Sequence, residues 1–370
     1  MTSADELDGG PLGDLEVVHA FDEGPMPTGV SVSHEGRIFV NYPKWGDEVP
    51  ATVTELRGGD SVPYPDQRWN QPRADDDPEA LVSVQSIVVD PVDRLWILDT
   101  GSPMFRPTRP GGPKLVCVDL ATDTVVRTIT FPEDVALATS YLNDVRFDLR
   151  RGDAGIAYIT DSSDSGRNGI VVVDLDTGAS WRRLDDHPST KAEPLRTFRP
   201  IVEGRPFLER SEDGTESPVT MGADGIAISA DGSRLYYCPL ISRQLYSVPT
   251  DVLTDRSLPE EEVGKAVVHE GDRASASDGL ETDDAGRVYC TAYEQNAVLR
   301  RLPDGRYETV AHDPRLLWPD TMSVAANGYL YVTANQLHRQ ATYQGGQDRR
   351  QKPYHLFRIG IDAGPVLLRP

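Results

Sequence analysis

The chain has 370 residues, and its 59 acidic side chains against 37 basic ones give a formal charge of −22. Such a surface repels nucleic acid and anionic membrane, which are bound by clustered Lys and Arg. Hydrophobic residues make up 38%, and the 32 Gly and 29 Pro are spread along the chain, which excludes a disordered or collagen-like polymer and suits many short strands and turns.

The opening MTSADELDGGPLGD has neither a basic segment nor an apolar stretch, and no run of about eighteen apolar residues follows. The expectation is a soluble, cytoplasmic protein with residues 1–14 as a flexible tail. After this tail, LEVVHAF from Leu15 reads as a strand. Six segments then share one pattern: a small or polar residue, a short apolar strand, a turn with Gly or Asp, and a second apolar strand. In chain order they are PTGVSVSHEGRIFVNYP from Pro27, VQSIVVDPVDRLWILDTG from Val84 and LNDVRFDLRRGDAGIAYITDSS from Leu142. ADGIAISADGSRLYYCPL from Ala223, SDGLETDDAGRVYCTAY from Ser277 and PDTMSVAANGYLYVTANQL from Pro319 complete the set. Their spacing of roughly 40 to 80 residues matches one four-stranded propeller blade plus loops.

Further strands follow the repeats, such as QLYSVP from Gln244 and KAVVHE from Lys265, or AVLRRL from Ala297 and RYETVA from Arg306. The sixth repeat has only one follower, HLFRIG from His355, so the strand at Leu15 is expected to complete that blade and leave no open edge. The expected fold is therefore all-β, a single six-bladed propeller over residues 15–370. Three aperiodic stretches read as long loops, from Pro65 to Pro78, Ser189 to Pro218 and Gln336 to Lys352. Cys117, Cys238 and Cys290 contain no C-x-x-C pair and are expected to be buried free thiols.

Aligning the repeats puts Thr28, Gln85, Asn143, Asp224, Asp278 and Asp320 at the starts of the innermost strands, where they would ring one channel mouth. The ends of the next strands return to that mouth and bring Asn41, Asp99, Asp161, Cys238, Thr291 and Asn335. Such residues often serve only to satisfy neighbouring backbone N–H groups. Three aspartates on consecutive blades are harder to account for that way. At roughly 6 Å and an effective dielectric near 20, each neighbouring pair repels by about 3 kcal/mol. A cation, an Arg or a shifted pKa must compensate. His338 is the histidine placed nearest this entrance.

GRIFVNYPKWGDEVPATVTEL from Gly36, DRLWILDTG from Asp93, SYLNDVRFD from Ser140, AYITDSS from Ala157 and WPDTMSVAANGYLYVTANQL from Trp318 resemble the signature blocks of the major royal jelly/yellow family. The similarity runs from about Leu15 to Ile361 and implies a six-bladed propeller. Insect members are secreted and often carry paired cysteines, so this chain looks like a microbial, intracellular branch. The resemblance to yellow-related salivary proteins implies an amine held at the mouth by Thr321, Asn335 and Leu337. A second resemblance, to the senescence-marker/gluconolactonase propellers, nominates Asn143, Asp224 and Asp278 as ligands for calcium or magnesium. It departs at Thr28, where that family has a Glu.

Two readings stay open. One is a binding protein for a small cationic or polyhydroxy ligand, engaging Asp99, Asp161, Asp320, Thr321, Asn335, Leu337 and His338. The other is a metal-dependent, lactonase-like hydrolase. No organic cofactor is expected, and a monomer is.

Overall fold

A computed structural model describes residues 11–71 and 77–370. Strand pairing gives six four-stranded antiparallel sheets, one for each sequence repeat. The first strands of the sheets are Gly29–Val32, Val84–Val89, Leu142–Asp148, Ala223–Ile228, Leu280–Thr282 and Pro319–Val324. Each contacts its two neighbours in cyclic order, so they form the inner ring of a six-bladed propeller. Middle strands such as Ile156–Asp161 and Gly169–Asp174 are buried on both faces, which is why they read as runs rich in apolar and β-branched residues. Outermost strands such as Thr124–Thr130 alternate between exposed and covered residues.

Blades pack through the apolar faces of adjacent sheets. Trp96 of the second blade stacks on Phe147 of the third, with ring centroids 5.3 Å apart, and its indole N–H donates to Asp90 at 2.9 Å. All three cysteines are buried and free.

Ring closure follows the expected scheme. Leu15–Phe21 pairs antiparallel with Tyr354–Gly360, from Leu15 opposite Ile359 to Phe21 opposite Tyr354. The segment before it is not a loose tail where it is described: Leu12 exchanges backbone hydrogen bonds with His312, the last residue of the fifth blade's outer strand. Residues 1–10 lie outside the described residues. At the opposite face from the candidate mouth, the C-terminal segment crosses under the channel. Pro365 bridges Asp283, Leu149 N–H donates to Leu368 O at 3.0 Å, and Arg369 Nε donates to Pro91 O at 2.8 Å.

The long aperiodic stretches contain more structure than expected. Ser189–Pro218 folds into two small hairpins, Ile201–Val202 with Arg205–Pro206 and Leu208–Arg210 with Glu216–Pro218. Strands of two or three residues are too short to leave a period in the sequence. Residues 336–352 hold two 3-10 turns, Leu337–Arg339 and Ala341–Tyr343. Residues 65–78 hold a one-turn helix, Gln67–Asn70, capped by Asp66, and residues 72–76 lie outside the described residues. The fourth blade's outer strand begins at Val268, not Lys265, because Glu260–Lys265 is helical.

Candidate functional site

Four inner strands begin with a break in register against their neighbours: between Val84 and Ser86, Leu142 and Val145, Ala223 and Ile226, and Pro319 and Met322. A bulge frees its residues from strict alternation and re-aims their side chains. Gln85, Asn143, Asp224 and Asp320 all fall within these breaks, and Asp278 lies just before its strand at Leu280.

Glycines bring the acidic blades together. A Cβ on Gly225 would stand 2.5 Å from Asp278 O, and one on Gly279 would stand 2.4 Å from Asp320 O. The Asp-Gly pairs of the fourth and fifth blades therefore let each following blade approach until the three carboxylates share one environment. Asp224 donates a proton to Asp278, and burial with the neighbouring Asp278 charge holds Asp224 well above the usual carboxylate range. Asp278 is pushed up to about 6 by burial, against the hydrogen bonds from Trp318 and Asp224 that lower it. Asp320 is also raised well above its ordinary value, by burial first and then by Asp278. The repulsion anticipated from the sequence is thus expressed as raised pKa values across the three carboxylates.

The partners of these carboxylates are specific. Trp318 Nε1 donates to Asp278 Oδ2 at 2.7 Å, and Asn335 Nδ2 donates to Asp320 Oδ2 at 2.6 Å. Trp318 takes a left-handed backbone, φ 56°, costly for a bulky side chain, and is held there by stacking on Tyr293 with centroids 4.1 Å apart. On the far side of the mouth, Trp45 Nε1 donates to Tyr141 OH at 2.8 Å, and Tyr141 OH donates to Gln85 Oε1 at 3.0 Å.

The second tier is scaffold. Asp99 accepts from the N–H groups of Val82, Ser83 and Gly101 and lies 3.5 Å from Lys114 Nζ. Asp161 accepts from Ser140 Oγ, Tyr141 N and Arg182. Both are fully buried, and their oxygens are committed to holding the strand starts, so neither is offered to a ligand. Asn41 holds Thr28 Oγ1 and the Gln85 carbonyl, and Thr291 accepts from Asp278 N and Gly279 N. Asn335 uses its Oδ1 on Leu337 N–H at 3.0 Å, which makes it the residue that positions Asp320. The Leu337 side chain packs in the apolar cluster around Trp318. Thr321 donates to Asp320 Oδ1 at 3.1 Å and lines the channel below.

His338 is set apart from the carboxylates. Its ring stacks 5.8 Å from Trp318, its Nε2 meets Glu203 Oε2 at 2.7 Å, and its Nδ1 is buried without a partner. Burial lowers its pKa against the opposing pull of Glu203.

Sequence reasoning missed the ion cluster one layer down. Arg146 NH1 donates to Asp144 Oδ2 at 2.9 Å, Arg146 NH2 lies 3.5 Å from Glu281, and Asp144 also accepts from Ser86. Its signal was in LNDVRFD and DGLETD, where the third and fifth residues after the ring position are charged in both, Arg146 and Asp148 in one and Glu281 and Asp283 in the other.

The nominated metal set is oxygen-only. Asn143 spends its Nδ2 on Ser162 Oγ at 3.0 Å, which leaves its amide oxygen as a donor toward a hard cation. Thr28 Oγ1 is taken by Asn41. Among the described residues, no group of three or more His, Cys, Asp or Glu is gathered to hold an ion.

The sequence profile described as Major royal jelly protein matches residues 82–358. Protein yellow of Drosophila guanche is 30% identical over 83% of this chain and 55% of its own length. Protein yellow of Drosophila melanogaster is 30% identical over 83% of this chain and 58% of its own length. The chain thus spans little more than half of these relatives. Among solved structures, regucalcin from Agrobacterium tumefaciens, described as a calcium-binding protein, superposes with a TM-score of 0.56 at 14% identity, covering 94% of this chain and 95% of that one. A gluconolactonase from Xanthomonas campestris gives 0.53 at 12% identity, covering 95% and 97%. At these identities the likeness is one of fold.

Proposed function

The chain belongs to the major royal jelly protein family, and from that premise we propose that it is a binding protein whose channel mouth takes the ammonium group of a small cationic ligand. One observation carries the reading: Asp224, Asp278 and Asp320, from three consecutive blades, are all buried at the strand starts, and burial together with their mutual proximity raises Asp224 and Asp320 well above the ordinary carboxylate range and Asp278 to about 6, which a cation at the mouth would reverse. Asp278 is 8% exposed, Asp320 3% and Asn143 9%, so the entrance suits a compact charged head better than a bulky ring. Trp318 and Tyr141 flank this set as hydrogen-bonding groups, Trp318 Nε1 on Asp278 and Tyr141 OH on Gln85.

Calorimetric titration of the full chain with a primary amine and with its neutral alcohol analogue tests this. Saturable binding of the amine alone, lost in Asp278→Asn, is the expected result. Equal behaviour of amine and alcohol would sink the proposal.

A second reading places calcium or magnesium on Asn143, Asp224 and Asp278, for which the free amide oxygen of Asn143 is the favourable observation. It requires the Asp224–Asp278 hydrogen bond to open and its proton to leave. Such an ion would supply Lewis acidity toward an ester carbonyl. The discriminating measurement is thermal unfolding with and without calcium; no stabilisation by calcium at concentrations that saturate ordinary extracellular sites would remove this reading.

A further inference from the structure

Beside the acidic mouth, on the far side of His338, a cavity of about 370 Å³ opens between the hairpin Ile201–Pro206 and the segment that follows the sixth blade's second strand. Its size falls in the range of small-ligand pockets. Its charge is opposite to that of the whole molecule. Arg205, Arg210, Arg339 and Arg349 line it together with one carboxylate, Glu203.

Two of these guanidinium groups are already committed. Arg339 donates to both oxygens of Glu203, and Arg210 pairs with Glu216 at 2.9 Å while donating to Pro206 O and Tyr343 O. The Arg339 fork and His338 hold Glu203 ionised, with its pKa pulled down to about 2. The other two are uncommitted: the side chains of Arg205 and Arg349 are exposed and have no hydrogen-bond or ion-pair partner among the described residues.

The walls are built rather than incidental. Glu203 and Gly204 form the two-residue turn of the hairpin, with φ 48° and 74°, the backbone hand that suits a tight antiparallel reversal. Arg205 is therefore delivered from a fixed hairpin. Opposite it, Arg349 N–H donates to Arg339 O at 2.8 Å, which ties the backbone bearing the second free guanidinium to the residue gripping Glu203. Phe207 and Tyr343, both buried, pack with their rings tilted and centroids 4.6 Å apart and form the apolar floor.

We infer that this cavity is a second binding site, for the oxyanion of a small organic acid or phosphate ester, gripped by Arg205 and Arg349. Planar guanidinium groups fit such oxyanions through paired N–H donors. The site is independent of the carboxylates at the mouth, since it shares no ligand-facing residue with them.

The full chain is titrated by calorimetry with succinate and, separately, with inorganic phosphate. Saturable binding of at least one probe is expected, and the stronger of the two identifies carboxylate or phosphate as the preferred group. Arg205→Gln and Arg349→Gln should each weaken it by about tenfold or more, with Arg205→Lys intermediate. Both side chains are exposed and unpaired, so the variants should melt with the parent protein. Asp278→Asn should bind the anion normally, which separates failure here from failure of the amine reading. Absence of saturable binding by both probes, or undiminished binding in the Arg205→Gln/Arg349→Gln double variant, would overturn the assignment.

Discussion

Asp278 is the residue on which the chemistry of the mouth turns. Its folded-state pKa of about 6 lies above the ordinary 3.8, so between these values the folded chain holds a proton that the unfolded chain has lost. The contribution of this group to stability is therefore full below about 3.8 and declines as pH rises through about 6. Cation binding runs the other way: affinity for an amine should rise across the same window, with proton uptake by the buffer seen in calorimetry. Trp318→Phe removes a hydrogen bond that lowers the Asp278 pKa, so the midpoint of that affinity profile should move to higher pH. An unmoved midpoint would show that the indole does not tune the carboxylate. Repeat alignment exposed the three aspartates because each occupies the same place in its blade. It could not expose Trp318, whose left-handed backbone is set by the stacking of Tyr293, 25 residues earlier in sequence. Nor does a repeat distinguish Asp99 and Asp161 from ligands; only their backbone N–H partners show what they do.

Among the elements, the inner strands do most to shape the site, and they do it through bulges and glycines. Gly225→Ala or Gly279→Ala would push a methyl group against a backbone carbonyl of the next blade, an overpacking expected to cost about 1–3 kcal/mol. Gly360→Ala is the matched control, because a Cβ there meets nothing within 4 Å. Thermal unfolding of the three variants checks this, and the two inner-strand variants should also lose amine affinity as their carboxylates are displaced. The middle strands were the most legible, since they are buried on both faces and read as near-continuous apolar runs. The hairpins at residues 201–218 were not legible, because strands of two or three residues are too short to repeat an alternation. Consequently the cavity that carries the free arginines was invisible in the sequence, although Glu203 and Gly204 mark its turn.

The whole molecule is a ring fastened at both ends of its chain. Leu15–Phe21 completes the sixth blade, and removing residues 11–21 should leave Tyr354–Gly360 as a bare edge and abolish the single cooperative unfolding transition. The C-terminal segment contributes less: Leu368 is 4% exposed, and deleting residues 364–370 should cost about 1.5–3 kcal/mol through its lost burial, read as a lowered Tm with the blades intact. This closure was anticipated from a strand count alone, because six repeats with one follower too few demand a partner from the other terminus. The path of the last residues under the channel had no such constraint and left no pattern.

That fastening also fixes how the protein responds to tension. Leu15 lies opposite Ile359, so the two chain ends leave the clasp side by side and not from opposite ends of it. A pull applied between them loads the strand pairs one after another, as in opening a zipper, once Leu368 and Arg369 have been stripped from the floor. In an optical trap the ring should therefore give way first at this seam, at low force, with an initial lengthening confined to the first and last strands before any other blade is disturbed.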